Sequence, residues 1–392
     1  MARICIDVRC LMEGRRTGVE EYTQELLLHI FEIDHTNEYV LFFNSWKKPA
    51  FDFGIFEKYS NVTVKKIRLP NKLLNFSFWY LGWPKIDKLV GGADTVFFPN
   101  IIFGAVSAQV KMLATIHDLS FERYPQCFSW KRRFWHIFIN SKKLCERANQ
   151  IISVSQSSWH DVVNFYGLEE KKVAWIHSAV PANFRLIDRN DENLIRVKEK
   201  YNLPFKFILY LGTIEPRKNI SGLVRAYEQL QEFAQKSNNL ELLKYKLVIA
   251  GSNGWLDGEI FREIANSKFR EKIILPGFIS NEDKVYVYNL ATLFVYPSFF
   301  EGFGFPPLEA MQCGVPVITS NNSSLPEICA EAGILIDPDQ PGEIARAMEQ
   351  ILGNRVLREK LIAVGLERAK QFSWEKTAKK TLEIIKKTCA EK

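Results

Sequence analysis

The sequence predicts a two-domain α/β protein in which short buried strands alternate with longer helices around parallel sheets. At 392 residues, the chain exceeds the size at which a single hydrophobic core keeps growing. Its composition is that of a globular protein, with 47% hydrophobic and 25% charged residues. Short β-branched and apolar runs alternate with longer segments of helical periodicity, which indicates strand–helix–strand units.

Strands are predicted in both halves of the chain. Those in the first half lie near residues 4–8, 39–43, 95–98, 112–116, 150–154 and 173–176. Those in the second half lie near residues 207–211, 247–250, 273–275, 293–296, 315–319 and 334–336. Glycines and prolines cluster at the ends of these runs, which is where open α/β sheets bind their ligands.

The domain boundary is predicted at a polar segment, residues 188–193, which has no apolar periodicity. We therefore expect an N-terminal domain at residues 1–187 and a C-terminal domain at residues 188–372. Residues 373–392 combine apolar side chains at helical spacing with many lysines. They are expected to form a final helix that packs back on the N-terminal domain.

The sequence also disfavours several classes of protein. The apolar run at the N-terminus is short and is interrupted by Asp7, unlike a secretory signal. No stretch approaches the ~20 apolar residues of a membrane-spanning helix. The seven cysteines include no Cys-x-x-Cys pair, which argues against a disulfide framework or a zinc site. We expect a soluble or peripheral protein of the cytoplasm.

The most informative segment is PSFFEGFGFPPLEAM, residues 297–311. A predicted strand runs into a glycine-containing loop, and Pro306 and Pro307 then stand where the first turn of a helix tolerates proline. The N–H groups and the positive dipole end of a helix start favour an anion. Because Gly302 and Gly304 lack a Cβ atom, a ligand could approach the main chain closely there.

Two carboxylates, Glu301 and Glu309, flank this loop. Each can accept hydrogen bonds from hydroxyl groups, such as those of a sugar ring and a ribose. A simpler interpretation stays open, in which Glu309 only complements the helix dipole from the first turn and Glu301 is solvated.

A second segment, LGTIEPRKN at residues 211–219, follows another predicted strand. Asn219 is suited to cap the helix that comes next, so Arg217 and Lys218 fall on a loop at the carboxyl end of the strand. Two cations there could neutralise a diphosphate leaving group as its bond to the sugar breaks. Without other evidence, an arginine and a lysine in a loop are usually ordinary surface residues, and that interpretation stays open.

A third candidate, His117 in ATIHDL, follows a strand of the first domain. Its ring could hydrogen-bond a substrate hydroxyl or could have a structural role. The loop after the first strand contains Arg16, Thr17 and Gly18, without the Gly-x-Gly-x-x-Gly spacing of a dinucleotide-binding fold. The sequence therefore argues against NAD.

Taken together, these motifs resemble those of the retaining glycosyltransferases of family 4, over nearly the whole chain. The stretch from Glu301 to Glu309 is similar to the Glu-x7-Glu motif of that family, and the typical segments GVPV (residues 314–317) and LPE (residues 325–327) follow it. The resemblance implies the GT-B architecture, in which the parallel sheets of two Rossmann-like domains face each other across a cleft. The second domain would hold the nucleotide sugar, and the first would hold most of the acceptor site.

The resemblance also implies a catalytic group, which comprises Glu301, His117, Arg217 and Lys218. Glu301 would contact the donor sugar near its reacting face, His117 would bind a sugar hydroxyl, and the two cations would bind the diphosphate. The remaining donor-binding residues implied by the family are Gly18, Gly212, Thr213, Gly251, Phe278, Ile279, Gly302, Phe303, Gly304, Leu308 and Glu309.

Within that donor site, Glu309 would hold the ribose hydroxyls, Phe278 would belong to the segment that recognises the base, and Gly18 would lie against the phosphates. Thr213 departs from the family pattern. Many relatives carry an arginine directly after the glycine equivalent to Gly212, so Arg217 is expected to supply part of the missing charge.

The variant GTIEPRKN is similar to that of mannosyltransferases that build bacterial polysaccharides. We therefore expect GDP-mannose as donor, a glycan or lipid-linked acceptor, and retention of configuration. No cofactor and no metal are expected, because positive side chains already surround the diphosphate. A sugar-nucleotide epimerase or a phosphorylase of similar shape stays open as an alternative, as does a membrane-surface binding protein. Nucleic acid is not an expected partner.

The membrane alternative depends on residues 124–147, which mix aromatic and basic side chains. Basic residues are also concentrated in the first half of the chain, where residues 1–190 hold 25 Lys and Arg against 19 Asp and Glu. Such a segment could dock on an anionic membrane at its inner face. An ordinary amphipathic helix packed on the first domain is the other interpretation of this segment.

Overall fold

The protein is described by a computed structural model over residues 1–13 and 18–390, and it divides into two compact units. Unit 1 comprises Met1–Leu119, Trp130–Ala179 and Ser373–Lys392, and unit 2 comprises Ser120–Ser129 and Val180–Phe372. The main division therefore falls between Ala179 and Val180, a few residues before the expected boundary at 187. Each unit is built around one parallel sheet.

The sheet of unit 1 contains seven strands. These are β1 (Arg3–Asp7), β2 (Glu38–Asn44), β3 (Val62–Ile67), β4 (Thr95–Phe98), β5 (Lys111–Ile116), β6 (Gln150–Ser153) and β7 (Val173–Trp175). All are parallel, in the order β3-β2-β1-β4-β5-β6-β7. The six predicted strands are confirmed, whereas β3 was missed. It lies at the sheet edge, and Val62 is its only buried residue, so it lacks the continuous apolar run of a central parallel strand.

Eight helices occur between residues 18 and 179. They are α1 (Gly18–Ile33), α2 (Gly54–Glu57), α3 (Asn71–Tyr80), α4 (Ile86–Leu89), α5 (Ser120–Arg123), α6 (Trp130–Ile139), α7 (Ser141–Arg147) and α8 (Gln156–Tyr166). Of these, α5 belongs to unit 2. Short 3-10 helices occur along the chain at Arg9–Glu13, Pro125–Cys127, Glu170–Lys172, Pro216–Lys218, Leu242–Lys244, Arg270–Lys272 and Ala330–Ala332.

The sheet of unit 2 contains six strands, all of which were predicted. They are β8 (Phe207–Leu211), β9 (Lys246–Ala250), β10 (Ile273–Gly277), β11 (Leu293–Tyr296), β12 (Val317–Ser320) and β13 (Gly333–Ile336). All are parallel, in the order β10-β9-β8-β11-β12-β13. In both units the chain starts in the middle of the sheet, adds two strands to one side, and then crosses to the other side. This is the strand order of Rossmann-like folds.

The remaining helices are α9 (Glu192–Lys200), α10 (Ile220–Lys236), α11 (Gly258–Asn266), α12 (Asn281–Leu290), α13 (Phe305–Gln312), α14 (Leu325–Cys329), α15 (Pro341–Gly353), α16 (Arg355–Ala369) and α17 (Trp374–Ala390). The last of these, α17, lies within unit 1, where Thr377 donates a hydrogen bond to the carbonyl of His177. Within the described residues, no helix has the length and apolar character needed to cross a membrane.

The segment predicted as a linker, residues 188–193, is anchored within unit 2. The amide of Ile187 donates to the side-chain oxygen of Asn289 at 2.9 Å, and Arg189 donates to the Asn289 carbonyl at 3.1 Å. The side chain of Asp191 caps α9 by accepting from the amide of Asn193. This polar segment therefore forms the entrance to a packed helix.

Candidate active site

The candidate active site lies in unit 2, where the strand order of the sheet reverses. The chain leaves β8 and crosses to one side of the sheet, and it later returns to place β11 against the other side of β8. The loops at the carboxyl ends of these two strands meet here, where the amide of Phe299 donates to the carbonyl of Arg217 at 2.9 Å. This edge of the sheet is the usual ligand site of an open α/β fold. Arg217 and Lys218 follow β8, and Glu301 follows β11.

At this point Glu301 is held between the two predicted cations. The Lys218 Nζ atom lies 2.5 Å from Glu301 Oε1, and the Arg217 Nη1 atom lies 3.2 Å from Glu301 Oε2. Arg217 Nη1 also donates to the carbonyl of Phe300 at 2.6 Å. Lys218 and Glu301 are both buried, so the structure excludes a solvated Glu301 and an ordinary surface position for Lys218.

Two buried residues that the sequence analysis missed complete this cluster. Glu215 accepts hydrogen bonds through Oε1 from Arg217 Nε at 3.2 Å and from Nη2 at 2.9 Å. The hydroxyl oxygen of Tyr296 accepts from Lys218 Nζ at 2.8 Å. The cluster therefore contains two carboxylates and two cations, and its formal charges balance.

The pKa of Glu301 reflects these neighbours. Burial on its own would raise the pKa of the carboxyl group, but the charges of Lys218 and Arg217 together lower it to about 2. Burial and the adjacent Arg217 charge lower the pKa of Lys218, and Glu301 opposes that shift. Glu301 is thus firmly ionised at neutral pH, with each of its oxygens facing a cation.

The loop of Glu301 is fixed by serines at the end of β12 and in the loop after it. The amide of Glu301 donates to Ser323 Oγ at 3.0 Å. The Ser324 hydroxyl lies 3.0 Å from the carbonyl of Glu301 and 2.6 Å from that of Phe303, and Ser320 donates to the carbonyl of Ser298. These serines were not predicted from the sequence either. The polar run SNNSS, residues 320–324, directly after the strand predicted at 315–319, was the signal that could have identified them.

The helix after this loop, α13, starts as expected but offers fewer main-chain donors than the sequence analysis assumed. Gly304 precedes it with a φ of +117°, a conformation that favours glycine. Pro306 and Pro307 have no N–H group, and the amide of Leu308 is bonded to the Gly304 carbonyl. In this fully described first turn, only the amide of Phe305 is left to face an anion, so the side-chain cations carry more of the expected charge compensation.

Glu309 lies in the second turn of α13 rather than in the first, which corrects the dipole interpretation. Its carboxylate is buried, and Oε2 accepts a hydrogen bond from the hydroxyl of Tyr288 on α12 at 2.6 Å. Burial and the Glu309 charge raise the pKa of Tyr288 well above its usual value, so that the hydroxyl stays a donor. Tyr288 is another residue that the sequence analysis missed.

The glycines near β8 and β9 bring two loops into direct backbone contact. The amide of Gly212 donates to the carbonyl of Ala250. Gly251 has a φ of +144°, and a Cβ atom there would lie 1.9 Å from the carbonyl oxygen of Gly212. Thr213 contributes its carbonyl to a hydrogen bond from the hydroxyl of Tyr210. A side chain at position 251 would therefore force the two loops apart.

The other predicted donor-binding residues of unit 2 differ in exposure. Phe278, in the loop after β10, is exposed, whereas Ile279 and Leu308 are buried and can present only their backbone. Gly302 and Phe303 are buried beside Glu301. The end of β10 is three strands from the end of β11, or roughly 14 Å at the usual strand spacing. An extended ligand is needed to reach both positions.

The two predicted residues of unit 1, His117 and Gly18, lie after β5 and at the start of α1. The His117 Nε2 atom lies 2.8 Å from the Pro99 carbonyl, which can only accept, so Nε2 carries the proton and Nδ1 is an acceptor. Burial lowers the pKa of His117, which keeps the ring neutral. The ring of Tyr22 packs edge-on against it at 4.8 Å. Arg16 and Thr17, beside Gly18, lie outside the described residues.

An Asp-x-Asp sequence, which can bind a metal ion in other proteins, follows β13 at Asp337 and Asp339. Asp337 Oδ1 accepts from the amide of Asp339 at 2.9 Å, and the amide of Asp337 donates to Glu343. These contacts form the turn that leads into α15, at the edge of the sheet. Among the described residues, no group of three or more His, Cys, Asp or Glu side chains is arranged to hold a metal ion.

Comparison with known families matches almost all of the chain. Residues 191–368 match the family described as Glycosyl transferases group 1, and residues 16–184 match Glycosyltransferase Family 4. O-antigen chain mannosyltransferase B of Escherichia coli is 34% identical over 277 residues, which cover 70% of each chain. The serotype-specific mannosyltransferase WbdA of Escherichia coli is 35% identical over 275 residues, or 70% of this chain and 33% of WbdA.

Solved structures with the same fold cover nearly the whole chain. Anabaena HepE in complex with UDP and glucose superposes with a TM-score of 0.70 at 16% sequence identity, over 98% of this chain and 99% of HepE. WaaG, a glycosyltransferase involved in lipopolysaccharide biosynthesis, superposes with a TM-score of 0.69 at 15% identity, over 98% and 99% of the two chains. The two parallel-sheet units thus have the fold of GT-B glycosyltransferases.

Proposed function

This chain belongs to the family 4 glycosyltransferases of group 1, and from that membership we propose that it transfers mannose from GDP-mannose to a glycan or lipid-linked acceptor. The observation that carries the proposal is the buried cluster of Arg217, Lys218 and Glu301 at the point where the strand order of unit 2 reverses. Two cations in the loop at the carboxyl end of β8, next to the carboxylate that follows β11, fit the diphosphate of a nucleotide sugar.

The choice of mannose is supported by the sequence relatives. The Escherichia coli proteins that are 34% and 35% identical to this chain are mannosyltransferases. HepE was crystallised with UDP and glucose, but at 16% identity it shares the fold alone and does not argue for UDP. We therefore propose a guanosine nucleotide, with the base near the exposed Phe278 and the ribose on Glu309.

The proposed mechanism starts from the charge balance of the cluster. Each cation is already paired with a carboxylate in the free protein, so the cations can be buried without a ligand. When the bond to the sugar breaks, negative charge grows on the diphosphate, and Arg217 and Lys218 are positioned to stabilise it. Stabilisation of a charge that appears only during reaction lowers the barrier rather than tightening ground-state binding.

Retention of configuration is proposed to follow from attack on the face that the diphosphate leaves. Glu301 is a poor candidate for a covalent nucleophile, because each of its oxygens contacts a cation and its pKa is lowered to about 2. We therefore leave the nucleophile of a double displacement unassigned. The acceptor hydroxyl itself would attack while the sugar has oxocarbenium character.

We also propose that transfer needs neither a cofactor nor a divalent metal, because Arg217 and Lys218 supply positive charge at the diphosphate. The test is transfer activity in EDTA, with and without added magnesium or manganese. Activity that disappears in EDTA and returns with the metal would contradict this part of the proposal.

The cytoplasm is the proposed location, since all seven cysteines are free thiols and five of them are buried. The proposed lipid-linked acceptor would be met at the inner face of the membrane.

The donor proposal is tested by thermal shift with GDP, UDP and ADP sugars, followed by a transfer assay with the best ligand. GDP-mannose is expected to raise the melting temperature most, because a ligand that binds only the folded state stabilises it by mass action. A UDP or ADP sugar that outperforms it would overturn the donor assignment. Conversion of the sugar in the absence of any acceptor would instead indicate an epimerase.

A further inference from the structure

An exposed row of aromatic side chains crosses the surface of unit 1 on helices α3 and α6. Trp130, Phe134 and Phe138 lie one turn apart on α6, with ring centroids 6.1 and 6.5 Å apart. Phe138 contacts Trp79 of α3 at 5.1 Å, and Trp79 contacts Phe76 at 5.9 Å. We call these five residues the aromatic row, and each of them is between 44% and 66% exposed.

The helix that carries most of this row is not packed as an ordinary amphipathic helix. Of the residues of α6, only Ile139 is buried. Aliphatic side chains beside the row are exposed as well, namely Leu73, Leu81 and Ile137. A contiguous apolar surface of this kind on a folded protein usually marks an interaction site.

Positive charge surrounds the aromatic row. The two segments that contain it, residues 71–85 and 130–147, hold eight lysines and arginines and a single acidic residue, Glu146. Their net charge of +7 equals that of the whole chain, so the rest of the protein is neutral overall. The partner of this surface should therefore be anionic as well as apolar.

A pocket of about 620 Å³ opens beside the row, within unit 1. Trp79 and Phe138 line it, and so do the cations Lys85, Lys143 and Arg147. None of the described residues that line it is acidic. Three cations thus line the pocket that lies beside the aromatic row.

We propose that the aromatic row and the surrounding cations form a docking surface for an anionic lipid bilayer. Aromatic and aliphatic side chains would enter the boundary between head groups and acyl chains, and the lysines and arginines would contact lipid phosphates, some of them in the pocket. This inference rests on the proposed lipid-linked acceptor, because docking would bring the enzyme to the membrane that holds it.

Two other occupants fit the surface less well. Exposed aliphatic residues such as Leu73 and Ile137 do not stack on bases, and the rings of the row contact one another instead of standing apart as platforms for a single strand. A second copy of this chain that used the same patch would bring two surfaces of net charge +7 together. A bilayer satisfies both the apolar and the charged parts of the surface.

The test is co-sedimentation of the full chain with vesicles of phosphatidylcholine alone and of equal parts phosphatidylcholine and phosphatidylglycerol. At low salt, wild-type protein should sediment with the anionic vesicles and should be released by high salt, which screens the attraction. Absence of sedimentation with anionic vesicles at low salt overturns the proposal. Binding of nucleic acid, or a dimer, in place of vesicle binding also overturns it.

Two sets of variants assign the binding to this surface. The aromatic variant Trp79→Ser/Phe134→Ser/Phe138→Ser is compared with Trp46→Ser/Phe205→Ser/Phe233→Ser, which changes exposed aromatic residues elsewhere. The charge variant Lys131→Gln/Lys142→Gln/Lys143→Gln is compared with Lys379→Gln/Lys380→Gln/Lys386→Gln on α17. The first member of each pair should bind anionic vesicles at least about tenfold more weakly than wild type, and the second should bind normally. Equal binding within both pairs overturns the proposal.

Thermal shift with GDP separates this inference from the proposed function. All four variants should keep the shift of the wild-type protein, since none changes the cluster around Glu301. If GDP binds and mannose is transferred to a soluble acceptor, but no vesicle binds, the docking surface is wrong and the enzyme assignment stands. If vesicles bind and no nucleotide does, the docking surface stands and the donor assignment fails.

Discussion

The ammonium group of Lys218 and the carboxylate of Glu301 form a buried ion pair, with 2.5 Å between Nζ and Oε1. The two residues are distant in the sequence, but they follow β8 and β11, which are neighbours in the sheet. Their contact therefore follows from the parallel topology. A substitution at either residue therefore also removes the buried ionic partner of the other.

Replacement of Lys218 by alanine should lower kcat by about a hundredfold or more, because the departing diphosphate loses one of its two cations. Removal of the exposed lysine Lys236 at the end of α10, as Lys236→Ala, is the matched control and should leave kcat unchanged. Steady-state transfer assays at saturating donor measure the effect, and circular dichroism checks that each variant is folded. A kcat within a few-fold of wild type in Lys218→Ala would remove this residue from the mechanism.

Glu215 is expected to position Arg217 rather than to contact the substrate. Glu215→Gln keeps the size of the side chain but replaces the charge-assisted bonds to Arg217 Nε and Nη2. We expect kcat/KM for the donor to fall about tenfold, which corresponds to ~1.4 kcal/mol of transition-state stabilisation.

The control for this change is Glu232→Gln, which breaks an exposed ion pair with Lys268 and should have no effect. A purely structural role for Glu215 predicts a different result, namely a lower melting temperature with unchanged kcat/KM in the folded protein. That outcome would refute the positioning role.

Tyr288 should affect nucleotide affinity through Glu309. Tyr288→Phe removes the hydroxyl that donates to Glu309 Oε2, so the carboxylate loses the contact that orients it toward the proposed ribose. The Kd for GDP should rise about tenfold, or ~1.4 kcal/mol, when measured by isothermal titration calorimetry.

Tyr227→Phe is a matched control, since the hydroxyl of Tyr227 is also in a buried side chain but donates to the carbonyl of Tyr245. It should destabilise the fold without changing the Kd for GDP. If Tyr288→Phe and Tyr227→Phe bind GDP with the same Kd, Glu309 does not contribute to nucleotide binding.

Sequence reasoning identified the strands well, because strands in a parallel sheet are buried on both faces and appear as continuous apolar runs. It missed β3, an edge strand whose lysines interrupt the apolar pattern. It also did not decide whether residues 130–139 form a helix that packs on a core or one that exposes its aromatic face. The periodicity is the same whether such a helix packs on a core or exposes its aromatic face, and only the structure distinguishes the two.

The candidate site could be predicted in part for a similar reason. Residues in the loop after a buried strand, such as Lys218 and Glu301, are recognisable in the sequence because strand ends meet at one edge of the sheet. Glu215 lies in the same loop as Lys218 but was not recognised as a site residue, and Tyr288 lies inside helix α12, away from any strand end. Their importance arises from one specific side-chain contact each, to Arg217 and to Glu309, and such contacts depend on packing that periodicity does not encode.

The lowered pKa of Glu301 predicts an acid-dependent loss of stability. Because folding lowers this pKa from its ordinary value of 4.5 to about 2, folding favours the ionised carboxylate. The resulting stabilisation, about 3 kcal/mol, is present above pH 4.5 and is lost as the pH falls through 2. Urea unfolding of wild type and of Glu301→Gln at a series of pH values measures it. The variant should be less stable at neutral pH, and the difference between the two proteins should shrink steadily below pH 4.5. A difference that stays constant down to pH 2 would mean that Glu301 is not held ionised by Lys218 and Arg217.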